Sequence, residues 1–244
     1  SLIRDVSYAI KTQKSSVLMY PEASYSFDGT ATPLPDSVGK FIKHLGVPVV
    51  MIRTYGAFSR DPLYNNLQRR KVKVSADLEY VLSPEDVARM SADEINAKVG
   101  EYFRFDGFRW QQENSVEIDE PFRADGLNRV LYKCPHCLAE GKMEGKGIML
   151  RCHHCGKTWQ MDPLGRLQAL KGETRFSHIP DWYRAQRAAV FLDVGLRHAR
   201  RHVVIEAGDR LTAVLIVLVG LDRNTGQRRI AADVLRRTQH AMAG

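Results

Sequence analysis

The hydrophobic residues at the start of the chain alternate between helical spacing and short continuous runs. Helical spacing relates Leu2, Val6, Ala9 and Ile10, and residues 16–20 then form an apolar run typical of a buried strand. Helical spacing returns over residues 38–45, just before Gly46, a residue suited to end a helix. Residues 47–52 form a second apolar run. The order strand, helix, strand predicts an α/β fold with a parallel β-α-β unit.

The segment between the first strand and the following helix is long. Residues 21–35 are rich in Ser, Thr, Gly, Asp and Pro, whereas a strand-to-helix connection usually has only a few residues. Ligands of open α/β sheets tend to bind at the carboxyl ends of strands, where this segment begins. Residues 21–35 are therefore the first candidate for a binding site.

Shorter elements follow. Alternating apolar residues between 72 and 80 predict a half-exposed strand. Ser83 and Ser91 each have an acidic residue three positions later, Asp86 and Glu94, which is typical of a helix start. Residues 103–114 are aromatic and show no clear period, so the pattern does not assign them to a helix or a strand.

Four cysteines stand in two pairs that suit one metal ion. The pairs are Cys134 with Cys137 and Cys152 with Cys155, each spaced C-x-x-C, with 14 residues between the pairs. Two tight turns can present four thiolates to one zinc ion, which leaves no open coordination position for catalysis. The spacing predicts a small β zinc ribbon with a structural role.

Other interpretations of these residues are two disulfides, a redox-active pair, or a histidine ligand from His136, His153 or His154. The chain shows no export signal that would favour disulfides, and a redox motif would lie at a strand-to-helix junction. Nucleic-acid binding is disfavoured because the segment from Tyr132 to Trp159 has only a modest positive charge and no basic stripe. Zinc held by the four cysteines is the favoured interpretation.

Two segments resemble a known enzyme family. Residues 17–29 read VLMYPEASYSFDG and residues 47–52 read VPVVMI, similar to the third and fourth sequence blocks of the 1-acylglycerol-3-phosphate acyltransferases. The resemblance covers about residues 1–85. The chain further resembles a bacterial subgroup with an attached zinc ribbon, through residues 120–128 and 177–183.

The resemblance implies transfer of a fatty acyl group from a thioester, acyl-CoA or acyl carrier protein, to a lysophospholipid or glycerol-phosphate-type hydroxyl in phospholipid biosynthesis. The family's general base is a histidine in a His-x₄-Asp block, and none of the eight histidines here has Asp five residues later. We expect the block upstream of Ser1, so that residues 1–244 alone are inactive. The alternative is a non-catalytic lipid-binding relative.

By the same resemblance, five consecutive loop residues line the acceptor pocket: Glu22, Ala23, Ser24, Tyr25 and Ser26. An alternative role for Glu22 is to anchor its own loop. Ala23 replaces the family's usual Gly, and Tyr25 replaces an Arg that would bind phosphate through a charged fork. Arg53, just after the second strand, is the nearest substitute for that cation.

Charge and composition complete the prediction. Residues 184–244 contain 11 Arg, no Lys and 5 acidic residues, which places +6 of the net charge of +8 in this tail. Either the tail holds the enzyme on an anionic membrane surface, or it is an out-of-frame reading of GC-rich DNA. We expect a cytoplasmic enzyme, peripheral on the inner face of the membrane.

The sequence predicts four units along the chain. They are residues 1–125 (acyltransferase part), 126–165 (ribbon), 166–183 (return segment) and 184–244 (tail).

Overall fold

The computed structural model describes residues 2–22, 24–198 and 215–218, with the backbone alone for residues 190–198 and 215–218. The described residues mix helices and strands and contain a four-cysteine cluster, as predicted. Ala23 and most of the tail lie outside them, so the two interpretations of the tail stay predictions.

The helices are α1 (Leu2–Lys11), α2 (Ser37–Leu45), α3 (Ala57–Arg60), α4 (Pro84–Arg89), α5 (Ala92–Tyr102), α6 (Gly107–Glu113) and α7 (Ile179–His198). The strands are β1 (Val17–Met19), β2 (Val49–Tyr55), β3 (Ser75–Leu82), β4 (Met143–Lys146), β5 (Met149–Cys152), β6 (Thr158–Met161), β7 (Leu167–Ala169) and β8 (Leu215–Leu218). Short 3-10 helices span Leu63–Asn65 and Leu127–Arg129.

The first sheet has the strand order β1-β8-β2-β3. Strand β8 pairs antiparallel with both β1 and β2, so that Val17 and Val49 both lie opposite Leu218. Strands β1 and β2 therefore run in the same direction, but they are not hydrogen-bonded to each other. The predicted parallel β-α-β unit is not confirmed, because β8, from the far end of the chain, lies between β1 and β2.

Local signals place the helix ends as the sequence predicts. Gly46 ends α2 in the left-handed conformation, with φ 63°, and its N–H bonds to Ile42 O. Ser83 and Ser91 cap α4 and α5, and in both caps the acidic residue three positions later bonds back to the cap N–H. These caps satisfy backbone groups that the first helical turn leaves without partners.

Two clusters of buried side chains form the core. One lies between the first sheet and α1, α2, α4 and α5. The other joins the ribbon strands to α3, α6 and α7, and it contains Phe58 and Phe108 together with Leu150 and Trp159. Residues from both sides of the predicted boundary at 125/126 thus share one buried cluster.

The second sheet is the antiparallel ribbon β4-β5-β6-β7. Leu150 faces Trp159 across two of its strands, and both side chains are buried. The Trp159 ring meets the Trp182 ring of α7 edge to face, with 4.9 Å between centroids. Helix α7 is thereby packed against the ribbon through an aromatic pair, the kind of contact that adds to simple burial.

Candidate metal centre and loop-lined cavity

The four cysteines converge at one point of the ribbon, where their sulfur atoms all lie within 4.8 Å of one another. Cys134 Sγ is 3.8 Å from Cys155 Sγ, and Cys137 Sγ is 3.7 Å from Cys152 Sγ. Four sulfurs bound tetrahedrally to one zinc at about 2.3 Å lie roughly 3.8 Å apart. The cluster is therefore compatible with a structural metal such as zinc.

Two turns of matching geometry present the thiols. Cys134 N–H donates to Ala139 O and accepts at its own carbonyl from Leu138 N–H; Cys152 does the same with Lys157 and Gly156. Leu138 and Gly156, each directly after the second cysteine of its pair, both have positive φ, 61° and 76°. The two C-x-x-C segments therefore form equivalent knuckles, although only the second has the glycine that this backbone favours.

The chemistry of the cluster favours a bound cation. All four cysteines are free rather than disulfide-bonded, and burial raises the pKa of the Cys134 thiol to about 12. Four thiolates cannot gather there without a positive ion to stabilise their charge. His153 is engaged elsewhere, with its Nε2 2.8 Å from Glu144 Oε2, and no histidine belongs to the cluster found among the described residues.

The long loop after β1 is held by its own polar side chains. Glu22 Oε1 accepts hydrogen bonds from Thr32 N–H at 2.7 Å and from the Thr32 hydroxyl at 3.0 Å. Ser26 donates to Thr30 O at 2.7 Å. These contacts match the anchoring role that was the alternative for Glu22, while Ala23 lies outside the described residues and Ser24 is exposed.

Arg53 lies against the end of α5. Its Nη2 donates to Tyr102 O at 2.7 Å, and its guanidinium carbon is 5.9 Å from the centre of the Tyr102 ring. Arg53 lines neither of the two cavities beside the loop. Its predicted contact with an acceptor phosphate stays a prediction.

The second half of the loop forms the wall of a cavity of about 660 Å³. Its lining residues come from the loop, from the α5–α6 connection and from α7: Phe27, Asp28, Thr30, Ala31, Thr32, Pro33, Arg104, Phe105, Asp106, Tyr183, Arg184 and Arg187. Backbone bonds fix the loop to that connection, from Ala31 N–H to Phe105 O and from Gly107 N–H to Gly29 O. The cavity wall thus begins one residue after the segment 22–26 predicted to bind substrate.

A histidine and an aspartate meet beside this cavity. His178 Nε2 lies 2.8 Å from Asp106 Oδ2, and both side chains are largely buried. Asp106 also caps α6 by accepting from Arg109 N–H at 2.9 Å. The sequence pattern gives no sign of this pair, because the two residues are 72 positions apart and no local spacing connects them.

Comparisons of this chain with protein-family models, with curated proteins and with solved structures found no match. No helix in the described part of the chain has the length and hydrophobicity that a membrane span requires.

Proposed function

We propose that this chain belongs to an acyltransferase acting on a lysophospholipid or related acceptor, with zinc as a structural ion in its ribbon. The observation that carries the proposal is the loop after β1. The acyltransferase-like segment at residues 17–29 runs from β1 into this loop, and the loop continues into the wall of the cavity of about 660 Å³. A cavity of this size fits the range of roughly 300–1,000 Å³ common for small-molecule sites.

In the proposed reaction the acceptor hydroxyl attacks the thioester carbonyl. A carbon–oxygen bond forms, the carbon–sulfur bond breaks, and the hydroxyl proton passes through the general base to the leaving thiol. A closed four-thiolate site offers no position for substrate. The zinc is therefore assigned to folding and not to this chemistry.

Residues 1–244 contain no His-x₄-Asp block that could supply the general base. We propose that it precedes Ser1 and faces the loop-lined cavity. Acyl-CoA and acyl carrier protein are both retained as donors. The anionic inner face of the membrane is the proposed site of action.

The test is an acyl-transfer assay that measures both thiol release and ester formation. Residues 1–244 alone should give neither above background, and a chain extended upstream through a His-x₄-Asp block should give both in equal amounts. The matched control is the extended chain with that histidine changed to Ala. Transfer that persists in this control, or an extended chain without transfer to any lysophospholipid, would refute the proposal.

The pair of His178 and Asp106 gives a second check. Should residues 1–244 transfer acyl groups unaided, His178→Gln would show whether the activity depends on this pair. Loss of activity in His178→Gln would show that the general base lies within residues 1–244. It would also contradict our placement of the base upstream.

A further inference from the structure

Three arginines converge on the cavity from two elements. Arg104 follows the end of α5, while Arg184 and Arg187 lie one turn apart on α7. Arg104 has no ion-pair or side-chain hydrogen-bond partner among the residues that the structure describes. Arg184 pairs with Asp181, and the Arg187 guanidinium lies 5.6 Å from the centre of the Tyr183 ring.

The two carboxylates on the cavity wall have structural partners. Asp28 Oδ1 accepts from the Thr30 hydroxyl at 2.7 Å and from Thr30 N–H at 3.1 Å. Asp106 is held by His178 and by Arg109 N–H. These acids hold the loop and the start of α6, and among the described residues neither of them forms an ion pair with Arg104. Arg104 therefore gives the cavity a cationic side.

Apolar residues stand next to these cations. Phe27, whose exposed fraction is 43%, lines the same cavity as Pro33 and Phe105. Guanidinium groups bind phosphate through paired, charge-assisted hydrogen bonds, while the rings offer apolar surface to a hydrocarbon segment. A ligand with an anionic head and an apolar body fits both parts.

We infer that Arg104, with Arg184 and Arg187 beside it on the cavity wall, binds the phosphate group of an amphiphilic ligand. The inference rests on the proposed function only in identifying that ligand as the acyl acceptor. These arginines supply the positive charge that Tyr25 lacks. Arg53 is not needed for this role, because its guanidinium is bonded to Tyr102 O. The phosphate contact is thereby placed on residues outside the acyltransferase-like motifs.

Direct binding to residues 1–244 tests this site without turnover. The probes are glycerol 3-phosphate in solution and neutral phospholipid vesicles that contain lysophosphatidate. The variant is Arg104→Gln with Arg187→Gln, and the matched control is Arg151→Gln, because Arg151 is exposed on the ribbon and lines neither cavity. We expect at least about tenfold weaker binding for the double variant, and no change for the control.

The two probes distinguish the source of the phosphate. Arginine-dependent binding of glycerol 3-phosphate supports a water-soluble phosphate ligand, and arginine-dependent binding of vesicles alone supports a lipid headgroup. The inference is overturned if neither probe binds, if the double variant binds as the natural chain does, or if Arg151→Gln weakens binding as much. Because acyl transfer is measured separately on the extended chain, failure of either idea leaves the other standing.

Discussion

His178 Nε2 lies 2.8 Å from Asp106 Oδ2 and joins the N-terminus of α7 to the N-terminus of α6. Burial is the largest influence on Asp106 and favours its neutral form. The hydrogen bonds from His178 and from Arg109 N–H outweigh it and lower the pKa of Asp106 from its ordinary value of 3.8. The ionised carboxylate therefore stabilises the folded protein more than the unfolded chain.

Asp106→Asn should destabilise the protein at pH 7 by about 1–2 kcal/mol, because the amide keeps the cap on α6 but loses the charge-assisted bond to His178. A lowered folded-state pKa gives stability that is present above 3.8 and is lost as the pH falls through the folded value. Urea unfolding of both chains from pH 7 to pH 3 measures the difference.

Acid also removes the metal from cysteine sites, but it does so in both chains, so the difference between them isolates the carboxylate. That difference should shrink as the pH falls below about 4 and the carboxyl group takes up its proton. A difference that is as large at pH 3 as at pH 7 would contradict this role for Asp106.

The features that could be predicted from the sequence each depend on residues that are close together in the chain. The spacing of Cys134 and Cys137, repeated at Cys152 and Cys155, placed all four thiols in one cluster, because each knuckle needs only its own short turn. The same holds for Gly46, which ends α2 through its left-handed backbone. Such signals lie within a few positions of one another, so a single sequence can reveal them.

The cavity depends on contacts between distant segments. Arg104, Arg184 and Thr32 meet there from three separate elements, and the hydrophobic pattern carries no sign of that meeting. The strand order shows the same limit, because the apolar runs at 16–20 and 47–52 predicted two strands but could not reveal that β8 lies between them.

Removal of the metal should expose the tryptophans of the ribbon. Trp159 and Trp182 are each only 1% exposed and contact each other beside the cluster. A Cys₄ zinc site contributes directly to folding, so a chelator should shift their fluorescence to longer wavelength. Elemental analysis should show one zinc per chain before treatment and none after it.

Trp110 is the third tryptophan, and it stacks on Tyr55. Trp110→Phe removes its emission while keeping an aromatic ring in that stack. The chelator should still shift the fluorescence of Trp110→Phe to longer wavelength. The Cys152→Ser variant should show the shifted spectrum without chelator. Complete loss of zinc with an unchanged spectrum would show that the metal does not hold the ribbon together.

Two helix glycines should respond in opposite directions to alanine. A Cβ on Gly39 of α2 would lie 2.1 Å from Ala92 O of α5, whereas a Cβ on Gly100 of α5 would meet nothing within 4 Å. Gly39→Ala should cost about 2 kcal/mol or more because α2 and α5 must separate. Gly100→Ala should add up to about 1 kcal/mol of stability because alanine favours the helix.

Thermal and urea unfolding of the two variants against the natural chain provide the measurement. Gly39 N–H also donates to Asn96 Oδ1 at 2.6 Å, so a shift of the helices weakens this bond as well. A Gly39→Ala chain as stable as the natural one would contradict the close packing of α2 on α5.

The equivalent knuckle positions Leu138 and Gly156 provide the last prediction. Leu138 has φ 61°, a conformation that costs a side chain about 1 kcal/mol, and its side chain is 61% exposed, so glycine there loses little packing. Leu138→Gly should therefore stabilise the ribbon by up to about 1 kcal/mol. Gly156→Ala should cost a similar amount, because its Cβ meets nothing within 4 Å and only the backbone is strained. Zinc-competition titration and unfolding measure both, and a destabilised Leu138→Gly would show that Leu138 makes a contact that outweighs its backbone strain.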